Sequence, residues 1–296
     1  MYDAVMIGSG PAGLSAALYT SRANLKTLVI GKDRGALEKA ERIENYFGMA
    51  EPVSGCELVE NTKNQARSLG VDLVEDEIFH ITWNGHFMLE GKNGTYESLT
   101  VLLATGTGRK TLKIQGLKEL EGRGVSYCAV CDAFFYRGKE VAVLGNEDYA
   151  IHEMSQILPI VKSAVLLTNG QELKTEVPEG VQVIREPLRS VDGTERVEGI
   201  TFEDGSRIAA EGLFVALGSA GAMELARKAG AFTEGQNIKV NERMETNIPG
   251  LYAAGDCIGG LLQISTAVGE GAQAAMSMIP FVRRQRKENE AHRQEP

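Results

Sequence analysis

The sequence predicts an α/β protein with two Rossmann-like domains, and three observations carry that expectation. A short apolar strand runs into Gly8-Ser9-Gly10-Pro11-Ala12-Gly13 and then into a helix, with a second strand at the spacing a β-α-β unit needs. A second strand-turn-helix-strand run begins near Glu140. Several further apolar runs end in small-residue turns, the form of buried parallel strands.

In order along the chain, Ala4-Val5-Met6-Ile7 reads as the first strand and Leu14 to Arg22 as a helix. Thr27-Leu28-Val29-Ile30 is the next strand. In the turn, the first glycine permits the bend, the second lets backbone approach a pyrophosphate, and the third lets helix and strand pack closely. The helix N-terminus adds N–H groups and positive potential for phosphates. An acid often follows the second strand to hold a ribose; Gly31 and Lys32 stand there instead, with Asp33 displaced. Thr100 to Gly106 is a strand ending in Ala104-Thr105-Gly106. Glu140 to Leu144, Tyr149 to Ile157 and Ala164 to Leu167 form the second unit, with Gly145 opening its turn. Gly212 to Gly218 resembles the earlier strand and turn. Gly250 to Asp256 is a short strand ending in Gly255-Asp256, and a helix follows over about Thr266 to Val282.

Composition limits the function. The chain has 296 residues, 43% hydrophobic and 24% charged, which suits one or two domains with sizeable cores. No apolar run approaches the roughly 18 residues that span a bilayer. Met1-Tyr2-Asp3 lacks a basic n-region, so no signal peptide is expected. A net charge of −9 argues against nucleic acid as a partner. The basic group Arg283, Arg284, Arg286 and Lys287 reads as a solvated, frayed helix end. Four cysteines do not make a disulfide scaffold. Cys56 and Cys257 stand alone, whereas Cys128-Ala129-Val130-Cys131 can close a small disulfide, the pattern of a cytoplasmic redox pair. A zinc site is not expected, because no second Cys-x-x-Cys or His pair supplies the other ligands.

Gly8 to Gly13, Ile43-Glu44-Asn45-Tyr46, Ala104-Thr105-Gly106, Cys128-Ala129-Val130-Cys131-Asp132 and Gly255-Asp256, in this order, resemble the low-molecular-weight thioredoxin reductase family. The resemblance covers nearly the whole chain. It implies three-layer ββα domains, the second inserted into the first. An FAD-binding domain would comprise 1–112 and 245–296, and an inserted module, 113–244, would carry the cysteine pair. Gly8, Ser9, Gly10, Pro11, Ala12 and Gly13 would hold the FAD pyrophosphate, and Asp256, after Gly255, would bind the ribityl or phosphate region. Gly31, Lys32, Asn45, Ala104, Thr105 and Gly106 would line the FAD site. Gln263 and Ile264 would start a helix facing the flavin ring, where its N-terminal potential stabilises reduced flavin. Asp256 also reads as a capping residue, and Asn45 as an Asx turn. A homodimer is implied, as are hinges near Leu112–Gly116 and Glu242–Asn247 about which the inserted module rotates.

The chain departs from NADPH-using members of that family. Their second glycine turn here reads Gly145-Asn146-Glu147-Asp148-Tyr149-Ala150, with Glu147 at the middle glycine and Tyr149 at a small-residue position. A carboxylate about 4 Å from a pyrophosphate in a partly desolvated site costs roughly a few kcal/mol. Their His-Arg-Arg cluster for the 2′-phosphate is replaced by Thr168-Asn169-Gly170-Gln171-Glu172-Leu173-Lys174, which has no arginine. NAD(P)H is therefore not expected to bind. What remains resembles the ferredoxin-dependent flavin thioredoxin reductases, which draw electrons from reduced ferredoxin. A ferredoxin near −400 mV and a thioredoxin near −270 mV differ by about 6 kcal/mol for two electrons.

By that resemblance Cys131 takes electrons from the flavin, Cys128 attacks the thioredoxin disulfide, and Asp132 is the general acid–base. Asp132 also reads as an N-cap, and the two roles can coexist. Three alternatives stay open: a flavin-dependent oxidase of small dithiols, an NADPH thioredoxin reductase with a degenerate site, and a flavin-bound redox sensor.

Overall fold

The computed structural model describes residues 1–33, 35–106, 112–218 and 221–294, with side chains to 290. Contacts divide the chain into two compact units, Met1–Gly108 with Gly221–Pro296, and Arg109–Ala220.

The first unit starts with β1 (Tyr2–Ile7), α1 (Pro11–Arg22) and β2 (Thr27–Gly31). Proline at the first helical position fits α1, because its φ is preset and its missing N–H would have no partner there. A second helix, α2 (Gly55–Ser68), is capped by Ser54, whose side chain accepts from the Glu57 N–H at 3.1 Å. The strands β3 (Asp72–Glu75), β4 (Ile78–Trp83), β5 (Phe87–Gly91) and β6 (Thr95–Leu103) follow.

The second unit contains β7 (Val125–Ser126), the single-turn helix α3 (Ala129–Asp132), β8 (Glu140–Leu144), α4 (Asp148–Ile157) and β9 (Ser163–Leu167). It continues through β10 (Gln182–Ile184), β11 (Leu188–Asp192), β12 (Gly199–Phe202), β13 (Arg207–Ala209) and β14 (Gly212–Val215). Its parallel sheet runs β10-β9-β8-β14-β7, and β11-β12-β13 form a separate antiparallel meander. Leu120, Val125, Leu144, Leu167, Ile200, Phe202 and Leu213 fill its core. Each such side chain contributes about 1.5–3 kcal/mol by leaving water.

The chain then returns to the first unit through α5 (Ala222–Lys228), the hairpin β15 (Thr233–Glu234) and β16 (Asn237–Ile238), the strand β17 (Leu251–Ala253) and the long helix α6 (Ile264–Gln294). The first unit's sheet runs β3-β2-β1-β6-β5-β4, and β17 pairs with the second half of β6. Each unit thus combines a parallel sheet, helices and an antiparallel β segment, the α/β, three-layer Rossmann-like fold expected from the sequence.

Register sets up the site. Ile7 lies opposite Ile30 and Leu103, and Leu103 lies opposite Ala253. The turns after β1, β2, β6 and β17 therefore leave one edge of the sheet together, at strand carboxyl ends, where open α/β sheets bind ligands. Helices α1 and α6 approach so closely that a Cβ on Gly271 would stand 2.1 Å from the Ala12 carbonyl oxygen. Leu14, Ala16, Ala17, Ala274 and Met278 are buried in the core these elements share.

Helix α6 runs twelve residues beyond the expected end at Val282. Its basic tail is not wholly solvated, because the Arg286 guanidinium hydrogen-bonds both carboxylate oxygens of buried Asp3. Asp3 also accepts the Lys26 backbone N–H at 2.6 Å, so the acid on β1 anchors the helix's last turns.

Candidate functional site

The first glycine turn is shaped for a bound group. Gly8 has φ +118°, and a Cβ there would lie 2.2 Å from the Ala104 carbonyl oxygen. A Cβ on Gly13 would lie 2.0 Å from the Gly8 carbonyl oxygen, yet one on Gly10 would meet nothing within 4 Å. The outer glycines are thus fixed by packing, and the middle one borders open space where a pyrophosphate can approach. Pro11 and Ala12 form the helix start beside it. Ser9 Oγ donates to the Asp33 carbonyl, and a Cβ on Gly31 would press on Ser9 Oγ at 2.3 Å. A cavity of about 570 Å³ opens beside Ser9, Gly31, Lys32 and Asp33. Lys32 is engaged there by Glu77 at 3.0 Å.

The other expected FAD residues gather at the same sheet edge or beside it. Ala104 is tied to β1 by its N–H on the Ile7 carbonyl. Thr105 Oγ1 is buried and has no hydrogen-bond partner, and Gly106 follows in the left-handed region at φ +68°. Asn45 Nδ2 donates to Gln263 Oε1 at 3.3 Å, joining two expected site residues 218 positions apart. The Gln263 carbonyl accepts the Ala267 N–H, so α6 starts at Ile264 as expected. Gly255 sits at φ +81° and donates its N–H to Glu270 Oε2 at 2.8 Å. Among the described residues no hydrogen bond engages the Asp256 carboxylate. Burial raises the Glu270 carboxyl pKa above its ordinary range; the Gly255 N–H opposes this and the charge of Asp256 adds to it. An open cradle, an orphaned hydroxyl and a free carboxylate along one edge fit FAD, and the arrangement suits a pyrophosphate on α1.

In the second unit Cys128 and Cys131 form a disulfide, with 5.3 Å between their Cα atoms. Cys128 is buried and caps α3, its sulfur accepting the Cys131 N–H at 3.2 Å. Ser126, the last residue of β7, organises the motif: its hydroxyl donates to Asp132 Oδ2 at 2.6 Å and accepts the Cys128 N–H at 3.1 Å. Asp132 makes no side-chain cap bond to the following turn; its carboxylate accepts the Ser126 hydroxyl instead. Burial raises the Tyr136 phenol pKa, and the charge of Asp132 adds to the effect. Phe134 and Phe135 stand exposed just after the pair.

The second glycine turn keeps its fold but is covered. A Cβ on Gly145 would lie 2.2 Å from the Ala216 carbonyl oxygen, so that glycine serves packing. Glu147 pairs with Lys174 at 2.8 Å, Thr175 Oγ1 donates to Asp148, and Asn146 Nδ2 donates to the Glu172 carbonyl. The Lys174 N–H returns to the Asn146 carbonyl at 2.9 Å. Residues 172–175 are thereby fastened across the turn. The Tyr149 side chain is buried in the unit rather than filling the turn.

The residues that sequence reasoning missed are Ser126, Glu153, Glu270, Lys174 and Thr175. The signal available for Ser126 was its place two residues before the cysteine pair; nothing local marks the others.

Two nucleotide-type turns and a Cys-x-x-Cys disulfide define a dinucleotide-fold disulfide oxidoreductase. Residues 2–271 match the model of the pyridine nucleotide-disulphide oxidoreductases, and the chain belongs to that family. It is a thioredoxin reductase-like flavoprotein, and the family implies FAD. The thioredoxin reductase of Aquifex aeolicus is 33% identical over 309 residues, covering 97% of this chain and 95% of that one. The crystal structure of the atypical thioredoxin reductase TRi from Desulfovibrio vulgaris Hildenborough superposes with a TM-score of 0.91 at 37% identity, over 96% and 99% of the two chains. A ferredoxin-flavin thioredoxin reductase from Clostridium acetobutylicum gives 0.72 at 31% identity, over 94% and 97%.

Proposed function

We propose that this chain reduces thioredoxin with electrons from reduced ferredoxin, through FAD and the Cys128–Cys131 disulfide. The observation that carries the choice of donor is the covered second turn. Lys174 neutralises Glu147 at the place where a nicotinamide nucleotide's pyrophosphate would need free backbone, and residues 172–175 lie across it. No arginine in 168–174 is present for a 2′-phosphate.

FAD, when bound, converts the single electrons of ferredoxin into the pair a disulfide needs. Gly8 to Gly13, Asn45, Thr105, Asp256 and Gln263 would hold it. The chain's own residues do the thiol chemistry. Once the pair is reduced, the Cys131 N–H supports the Cys128 thiolate, which attacks a thioredoxin sulfur. Asp132, oriented by Ser126, supplies or removes the proton during exchange. Phe134 and Phe135 offer a small apolar face beside the pair for the partner protein.

The test is anaerobic bleaching of the bound flavin with reduced ferredoxin, NADPH and NADH supplied separately. Bleaching by ferredoxin, followed by thioredoxin reduction, is expected. Rapid bleaching by NADPH would overturn the donor; bleaching by none of the three but by an added small dithiol, with oxygen uptake once air is admitted, would replace the reductase by an oxidase.

A further inference from the structure

We propose that Glu153 is a positioning residue of the redox pair: its carboxylate sets how stable the Cys128 thiolate is, and through that the reduction potential of the Cys128–Cys131 couple. The inference rests on the reading of this pair as the working redox centre and is independent of the electron donor.

Glu153 is 1% exposed, and its Oε2 accepts the Ala129 N–H at 2.7 Å. Ala129 follows Cys128 and is the first residue of α3. Tyr149, one turn earlier on α4 and also 1% exposed, has its hydroxyl 3.5 Å from the Tyr127 carbonyl. Residues four apart share a helix face, so α4 grips the backbone on both sides of Cys128. Burying a carboxylate is costly, and an apolar residue would pack there without that cost.

Free N–H groups at a helix start are what lower a cysteine's pKa there. Here one of them is taken by an acid, and the Cys131 N–H remains on the Cys128 sulfur. A negative group beside the thiolate opposes its formation. The titratable groups on the elements packed around the pair are Asp132 on α3, Tyr136 on the next turn, and Tyr149, His152 and Glu153 on α4. Asp132 turns its carboxylate to Ser126, whereas Glu153 meets the backbone next to Cys128. The result is a dithiol that gives up electrons more readily than one at a bare helix start. The same helix begins at the covered turn, so α4 ties that turn to the backbone beside the disulfide.

The experiment titrates the purified holoprotein against dithiothreitol redox buffers at pH 9 and follows the reduced thiol over a series of pH values. Breaking the Cys128–Cys131 bond takes up two electrons and two protons, which dithiothreitol supplies as it closes to its cyclic disulfide; at this pH protons released by the new thiols pass to buffer. Alkylation of Cys128 by iodoacetamide, followed by peptide mass spectrometry, reads the thiol midpoint separately. For Glu153→Gln, which keeps the acceptor and removes the charge, the midpoint should fall by about one pH unit. The couple should become about tenfold easier to reduce, or about 30 mV more positive. Glu153→Ala should move both readouts the same way, and Glu140→Gln, an exposed charge paired with Lys162, should move neither. A folded Glu153→Gln protein with both readouts unchanged overturns the proposal. So does a shift in Glu153→Ala alone, which would assign the effect to packing. Retention of thioredoxin reduction by Cys128→Ser would instead sink the redox-pair reading, while leaving the electrostatic comparison readable.

Discussion

Asp132 and Ser126 act as one device at the residue scale. The hydroxyl holds the carboxylate toward the cysteine segment and accepts the Cys128 N–H with its lone pair, so one serine orients both acid and nucleophile. Asp132→Asn keeps the shape and removes the proton acceptor. Thioredoxin reduction should fall by about a hundredfold or more, while anaerobic flavin bleaching stays at the wild-type rate. A stopped-flow comparison of the two steps checks this. Glu270 makes a pH prediction. Its folded pKa is raised by burial, so the stability it contributes is complete below the ordinary carboxyl pKa and is lost as pH rises through the folded value. Glu270→Gln keeps an acceptor for the Gly255 N–H, and its melting temperature should decline less than wild type between acid and neutral pH. The Cys128–Cys131 disulfide was legible because its two cysteines stand three positions apart. Glu153 was not, because its partner lies 24 positions away and only folding brings α4 to that N–H.

At the scale of elements, the two glycine turns were readable because tight turns restrict residue type over six positions. Their roles differ within one turn. Gly10→Leu should fold with a near-wild-type melting temperature and lose flavin absorbance, since a side chain there enters only the open cradle. Gly13→Ala should destabilise the protein by about 1–3 kcal/mol, because its Cβ collides with the Gly8 carbonyl. Absorbance at the flavin maximum and thermal melts separate the two. Helix α2 and strands β3 to β5 went unread. The Ser54-Gly55-Cys56-Glu57 run was the cue for α2, but its face is mostly polar, with few apolar residues to show a period. The length of α6 was also missed, since the clasp of Arg286 on Asp3 joins residues 283 positions apart.

The whole molecule carries a net charge of −9, yet Arg283, Arg284, Arg286 and Lys287 fall together on α6. The Lys26 backbone and the Arg286 side chain meet on Asp3. An acidic ferredoxin docking near Arg283, Arg284 and Lys287 should reduce the flavin at a rate that falls steeply as ionic strength rises. Stopped-flow rates from low to high salt test this, and a flat dependence would exclude electrostatic docking. Among the described residues no helix is long and apolar enough to cross a membrane.

The first unit is built from both ends of the chain, whereas the second is continuous. During synthesis the ribosome delivers the glycine turn first, then the whole redox unit, and only afterwards Gly255, Asp256, Gln263 and α6. Domains tend to fold as they emerge. The disulfide-bearing unit can therefore mature while the flavin cradle still lacks one wall, and the nascent chain must keep the apolar strands β1, β2 and β6 from aggregating until the last helix arrives. Flavin loading therefore waits on α6, which is made after the whole of the second unit.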